Sequence, residues 1–195
     1  MTDIYQTLED KDNDEEIERH GPYFCSVYEI DGSPKKGSKE PWLGGGYYFW
    51  DTRINDAHWW GRTVYWPYFK GYVICHTMYD QHSPLLFDMV GNMSHIDRFE
   101  ECALDVKTKT QKQRVSVPYV LEILKQHADF GYKAVRAWPA PKIDHINPQI
   151  EMFFPGNRTV IRKLEKVQIC FFDKTLLCYP FRIQEKKPFP KNFTI

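Results

Sequence analysis

The segment Leu43-Gly44-Gly45-Gly46-Tyr47-Tyr48-Phe49-Trp50 constrains the fold of this chain more than any other stretch. Glycine reaches backbone conformations closed to larger residues and lets the main chain approach a neighbour or a ligand closely. An aromatic run placed directly after it is β-prone. The segment therefore reads as a tight turn feeding a strand. Asp51 or Thr52 offers a short side-chain oxygen as a cap for a helix running to about Gly61.

The rest of the chain alternates strand and helix signals. Residues 1–19 are acidic and read as an N-terminal arm, either frayed or a short solvated helix. Tyr23 to Ile30 is the first strand signal, and Trp66 to His76 a further strand with Pro67 near its start. An element is expected around Leu85-Leu86-Phe87, then a helix over Asp97 to Val106 and a loop over Lys107 to Arg114. Ser116-Val117-Pro118 opens a helix with Val120, Leu121, Ile123, Leu124 and Ala128 on one apolar face, stopped by Gly131. Tyr132 to Ala137, Gln149 to Phe154, Ile161 to Leu164 and Val167 to Phe172 read as strands of one sheet, and residues 179–195 as a proline-spaced strap. The class is α+β, with a single domain over residues 20–178.

Charge and cysteine usage narrow the setting. The 26 basic and 26 acidic side chains cancel, which argues against the strongly basic surface that supplies generic nucleic-acid affinity. The 5 cysteines form no CxxC pair, as expected for a reducing compartment. The N-terminus carries neither the basic nor the apolar region of a cleaved signal peptide, and no apolar run is as long as a membrane span. The expected location is the cytoplasm, or export as an effector without a cleaved signal, with no membrane partner. The aromatic residues between Tyr47 and Tyr72 suit either core packing or stacking against a flat ligand.

Read in order, Gly44, Gly46, Tyr48 and Phe49, followed by Ala57 and Trp59, resemble the nicotinamide-pocket signature of the ADP-ribosyltransferase superfamily. The likeness is to its poly(ADP-ribose) polymerase and diphtheria-toxin-like branch and to small bacterial relatives, which include toxins and effectors. That signature runs Gly-x-Gly-x-Tyr-Phe-Ala and then a short helix with a small residue and an aromatic near its end. Trp50 departs from it at the normally small position. The resemblance implies split mixed or antiparallel β-sheets with a few flanking helices, and NAD as the substrate. Tyr48 would stack on the nicotinamide, with Gly46, Phe49 and Ala57 forming the pocket around it, while Tyr47 faces the other side of the strand.

A second likeness lies nearer the C-terminus. Phe130 to Val135, then Gln149-Ile150-Glu151-Met152-Phe153-Phe154-Pro155, resemble the tail of bacterial members, where a strand bearing the catalytic glutamate runs into a Phe-x-Pro turn. The resemblance makes Glu151 the catalytic carboxylate and Gln149, two positions earlier on the same face, the group that positions an acceptor. Aligning Phe154-Pro155 to that turn leaves Glu151 one place off register. Family members also carry His-Gly or Arg on the first strand to hold the adenosine ribose or a phosphate. His20-Gly21 matches that pair in type, whereas counting from Val27-Tyr28 puts Glu29 at the basic position. Arg19, Arg53 and Arg62 are further candidates for phosphate contacts.

Neither Cys75-His76 with His82 nor Cys170 with Cys178 has the ligand spacing of a structural metal site, so no metal is expected. The resemblance implies an ADP-ribosyltransferase, or an NAD glycohydrolase of the same fold, acting on a protein side chain, a nucleic acid or water. The alternative is a non-catalytic interaction protein that keeps the fold as a binding module, which Glu29 favours.

Overall fold

The computed structural model of the chain describes residues 1–26, 41–139, 151–153, 160–162 and 164–190, with 151–153 and 160–162 described by their backbone pairing. Its centre is a seven-stranded mixed sheet of order β4-β5-β8-β2-β1-β3-β9. The members are β1 (Thr2–Glu9), β2 (Tyr47–Asp51), β3 (Tyr72–Tyr79), β4 (Leu86–Asp88), β5 (Ala134–Ala137), β8 (Gln168–Phe171) and β9 (Leu177–Lys187). A separate antiparallel ribbon pairs β6 (Glu151–Phe153) with β7 (Val160–Arg162). The helices are α1 (Asp14–His20), α2 (Ile54–Val64), α3 (Met93–Thr110) and α4 (Val117–Leu124). The α+β class expected from the sequence is therefore present.

The N-terminal arm expected over residues 1–19 is instead β1 followed by α1. β1 lies next to the sheet centre, paired with β3 along its whole length from Thr2↔Tyr79 to Glu9↔Tyr72, and with β2 at Ile4↔Asp51 and Tyr5↔Trp50. Ile4 and Tyr5 are buried on opposite faces, as period-2 side-chain alternation requires. Gln6 and Thr7 are buried as well, and hydrogen bonding makes that burial tolerable. Thr7 donates to the Ala57 carbonyl at 2.9 Å.

Of the extended strap expected over 179–195, residues 179–187 belong to β9, and 191–195 lie outside the described residues. β9 pairs with β3 at the sheet edge, a place that tolerates Pro180. The side chain of Glu18 accepts the Ile183 amide at 3.1 Å and faces Arg182, so α1 occupies part of that open edge. The strand expected from Trp66 starts only at Tyr72, because Trp66–Tyr68 forms a 3-10 turn that Pro67 enters without loss. α3 runs on to Thr110, into the first half of the stretch expected as a loop, with Lys109 paired to Asp105 one turn back, while Gln111 to Arg114 are non-helical as expected. β6 and β7 stand outside the sheet they were expected to extend. Of the strand expected over Tyr23 to Ile30, Cys25 forms a single bridge with Gly46, Tyr23, Phe24 and Ser26 are not strand, and residues 27–30, Glu29 included, lie outside the described residues.

One face of the sheet buries Ile4, Phe49, Val73, Ile169, Phe171 and Phe181, with Ile17 of α1 among them. The other face divides between α2, over Tyr5, Trp50 and Tyr72, and α3 with α4, over Phe87, Val135 and Cys170. Each such large apolar side chain contributes about 2 kcal/mol on leaving water.

Candidate functional site

The glycine turn is fixed by steric demand. Gly44 sits at φ +81°, in the left-handed region, and its amide donates to the Pro41 carbonyl at 2.9 Å. Gly46 is pressed onto β8: a Cβ there would lie 2.7 Å from the Phe171 carbonyl oxygen and collide with the Cys170 thiol. Cys25 pairs with Gly46 through both amides, at 2.8 and 3.1 Å.

Tyr48 leaves this turn and folds back on it. Its hydroxyl donates to the Gly44 carbonyl at 2.8 Å and accepts the Leu43 amide at 2.9 Å. The half-buried ring packs with the α3–α4 side of the core, and burial first of all pushes its hydroxyl far above the ordinary tyrosine range. Tyr47 lies on the opposite face, edge-on to Phe24 at 5.1 Å. Phe49 is core, edge-on to Phe171 at 5.6 Å and to Phe181 at 6.3 Å. Ala57, in α2, is fully buried, and Trp50 packs against Trp59 and Trp60 at 5.9 and 5.8 Å.

Gly46, Tyr48, Phe49 and Ala57 belong to one turn–strand–helix unit, but Phe49 faces the opposite side of the sheet from Tyr48 and Ala57 is buried in the separate cluster around Trp50 and Tyr72. His20 and Gly21 lie apart from that unit. His20 is the last residue of α1, which packs on β9, and it lines an open groove of about 560 Å³ with Asp12, Asp14, Glu15, Glu16, Arg19 and Lys186. Gly21 abuts the Phe181 ring and the Ile17 carbonyl. Glu151 is the first residue of β6, paired with Arg162, and Gln149 lies outside the described residues.

Two residues that sequence reasoning missed adjoin this unit. Gln6 of β1 donates to the carbonyls of Tyr48 and Tyr23, both at 3.2 Å, and accepts the Tyr23 amide at 3.1 Å. The β-prone run Ile4-Tyr5-Gln6-Thr7-Leu8 was the signal that could have revealed it. Arg136 of β5 donates through Nε to Asp51 at 2.7 Å and through Nη1 to Asp88 at 3.2 Å. Burial opposes its charge, yet those two carboxylates outweigh it and hold the guanidinium above its ordinary value. Beside them the Asp88 amide donates to His95 Nδ1 at 2.8 Å, and Tyr132 meets His95 Nε2 at 3.1 Å.

α2 also grips the chain leaving β7. The buried Asp56 carboxylate accepts the Lys166 amide at 2.9 Å, and Arg53 donates to the Leu164 carbonyl. The Lys166 ammonium lies 4.0 Å over the Trp59 ring, a favourable cation–π arrangement. Next along the chain, the Asp51 amide donates to the Val167 carbonyl at 3.0 Å.

Among the described residues no group of three or more His, Cys, Asp or Glu side chains is placed to hold a metal, and no helix is long and apolar enough to cross a membrane. Compared with known protein families, curated proteins and solved structures, the chain finds no significant match.

Proposed function

We propose that this chain is an ADP-ribosyltransferase-like protein that cleaves NAD, passing the ADP-ribosyl group to a protein side chain, a nucleic acid or water. One observation carries the reading: Gly44, Gly46, Tyr48, Phe49 and Ala57 belong to one continuous turn, strand and helix laid directly against β1. This is the order in which the resemblance places a nicotinamide pocket beside a first strand. In this reading the nicotinamide lies against the exposed part of the Tyr48 ring. Glu151 hydrogen-bonds the ribose 2′-hydroxyl and stabilises the positive charge that develops as the nicotinamide–ribose bond breaks. Gln149 orients the acceptor.

The described residues fit NAD in part. Tyr48 supplies a planar, half-buried ring, but β1 (Thr2–Glu9) holds no Lys, Arg or His to meet a pyrophosphate, and His20 lines its groove with four carboxylates as well as Arg19 and Lys186. A second reading, favoured by the uncharged Gln6 at the middle of β1, is a non-catalytic module that keeps the pocket for binding another partner.

Nicotinamide release from NAD separates the two. Wild type should release nicotinamide and Glu151→Ala should not, with both binding NAD in calorimetry. Equal release by the two proteins, or no release by wild type with protein, nucleic-acid or water acceptors, would sink the catalytic reading. Absence of NAD binding would sink both the catalytic reading and the pocket assignment.

A further inference from the structure

We infer that Asp56, with Arg53, is a positioning residue for the site proposed above, anchoring the base of the β6–β7 ribbon to the helix that follows Tyr48's strand. The inference rests on that reading for its catalytic half and on geometry for the rest. Glu151 is paired with Arg162, the last residue of β7, so it stands at the end of the ribbon where the chain leaves for β8. Two residues on, the chain meets α2. There Arg53 takes the Leu164 carbonyl, Asp56 takes the Lys166 amide, and the Lys166 side chain covers Trp59. Lys166 holds φ +60°, a left-handed conformation that a side chain adopts at some cost, so the turn is held in place by its partners.

Asp56 is also an expensive residue to bury. It is 8% exposed, burial raises its carboxyl above the usual range, and the Lys166 amide and Arg53 oppose that rise. A carboxylate kept inside a helix for one backbone amide is explained when that amide fixes something that must not drift. Here it fixes the chain four residues beyond Arg162, the strand partner of Glu151. Because α2 begins three residues after Asp51, at the end of the strand that carries Tyr48, the two halves of the proposed site share one rigid support. A misplacement of about 1 Å in such a support can cost on the order of 100-fold in rate.

The test uses the full chain as wild type, Asp56→Ala and Asp56→Asn, since the Asn carboxamide oxygen can still accept the Lys166 amide. In Asp56→Ala the Lys166 amide should lose its protection in hydrogen exchange. The kcat for nicotinamide release should fall about 10- to 100-fold, with KM for NAD within about 2-fold. Asp56→Asn should recover most of both. An Asp56→Ala protein with unchanged Lys166 protection overturns the anchor. Exposed Lys166 with unchanged kcat overturns the positioning role, as does a loss confined to KM. If Asp56→Ala does not fold, Asp56→Asn compared with Arg53→Met decides by the same two measurements. A wild type that releases no nicotinamide fails the functional reading and the catalytic half with it, while Lys166 exchange still judges the anchor by itself.

Discussion

The Arg136 guanidinium donates from Nε to the Asp51 carboxylate at 2.7 Å, and Asp51 is 2% exposed in its side chain. A carboxylate so deeply placed is sustainable only with a charged, hydrogen-bonding partner. Arg136 also reaches Asp88, so one cation ties the ends of β2, β4 and β5, strands drawn from three distant parts of the sequence.

Replacing that cation should therefore be among the most damaging single changes outside the apolar core. Arg136→Met keeps the stem's bulk but leaves two carboxylates facing each other without a counter-charge. We expect a loss of about 3 kcal/mol, read as a lower urea midpoint at unchanged m-value. Asp51→Asn together with Arg136→Met should recover part of it, because the pair is then removed rather than broken. A single variant within about 0.5 kcal/mol of wild type would show that the pair is solvated and carries little.

The neighbouring His95 makes stability depend on pH. Its Nδ1 accepts the Asp88 amide, which requires an unprotonated nitrogen, and burial holds its pKa below the ordinary 6.5 against the pull of Asp88. His58, between the Tyr72 hydroxyl and Glu185, is lowered in the same direction by burial. Between 6.5 and those lowered values the unfolded chain binds protons that the folded chain refuses, so stability falls as pH drops. The contribution is fully present above 6.5 and diminishes below it. Urea midpoints at pH 8, 7, 6 and 5.5 should decline across the lower half of that series, and less steeply in His95→Gln, where only His58 remains. Parallel declines in the two proteins would remove His95 from the account.

These relationships differ sharply in how visible they were beforehand. The turn–strand–helix unit from Gly44 to Ala57 was legible because its determinants are local: a left-handed Gly44, a Gly46 with no room for a Cβ, and a helix that starts where the aromatic run ends. β1 was not, because the carboxylates from Glu9 to Glu18 dominate the composition of its neighbourhood, while the short alternation at Ile4 to Leu8 decides its burial. The Arg136 network was invisible for a different reason. Its members lie 85 and 48 positions apart and meet only when β2, β5 and β4 align. The same holds for Asp56, whose partner Lys166 is 110 positions away. Local pattern marked where a pocket could begin, and long-range pairing decided what supports it.

Tyr48 lets the ring and the hydroxyl be tested apart. In the structure the hydroxyl is spent on the chain's own turn, at Leu43 and Gly44, and in the proposed reading the ring is the part that meets NAD. Tyr48→Phe should cost about 1–2 kcal/mol of stability, since the Leu43 amide loses its partner in a half-buried place. The same variant should bind NAD within about 2-fold of wild type, because stacking uses the ring face that phenylalanine retains. Tyr48→Leu keeps apolar bulk without the flat face and should lose at least about 5-fold in affinity, in line with the 1 kcal/mol scale of ring stacking. Calorimetry on the three folded proteins gives the answer. If Tyr48→Phe stays folded and no longer binds NAD, the hydroxyl must leave the glycine turn to meet the ligand, and Leu43-Gly44 would open on binding. If Tyr48→Leu binds as well as wild type, the ring is only a wall of the core and the nicotinamide must lie elsewhere.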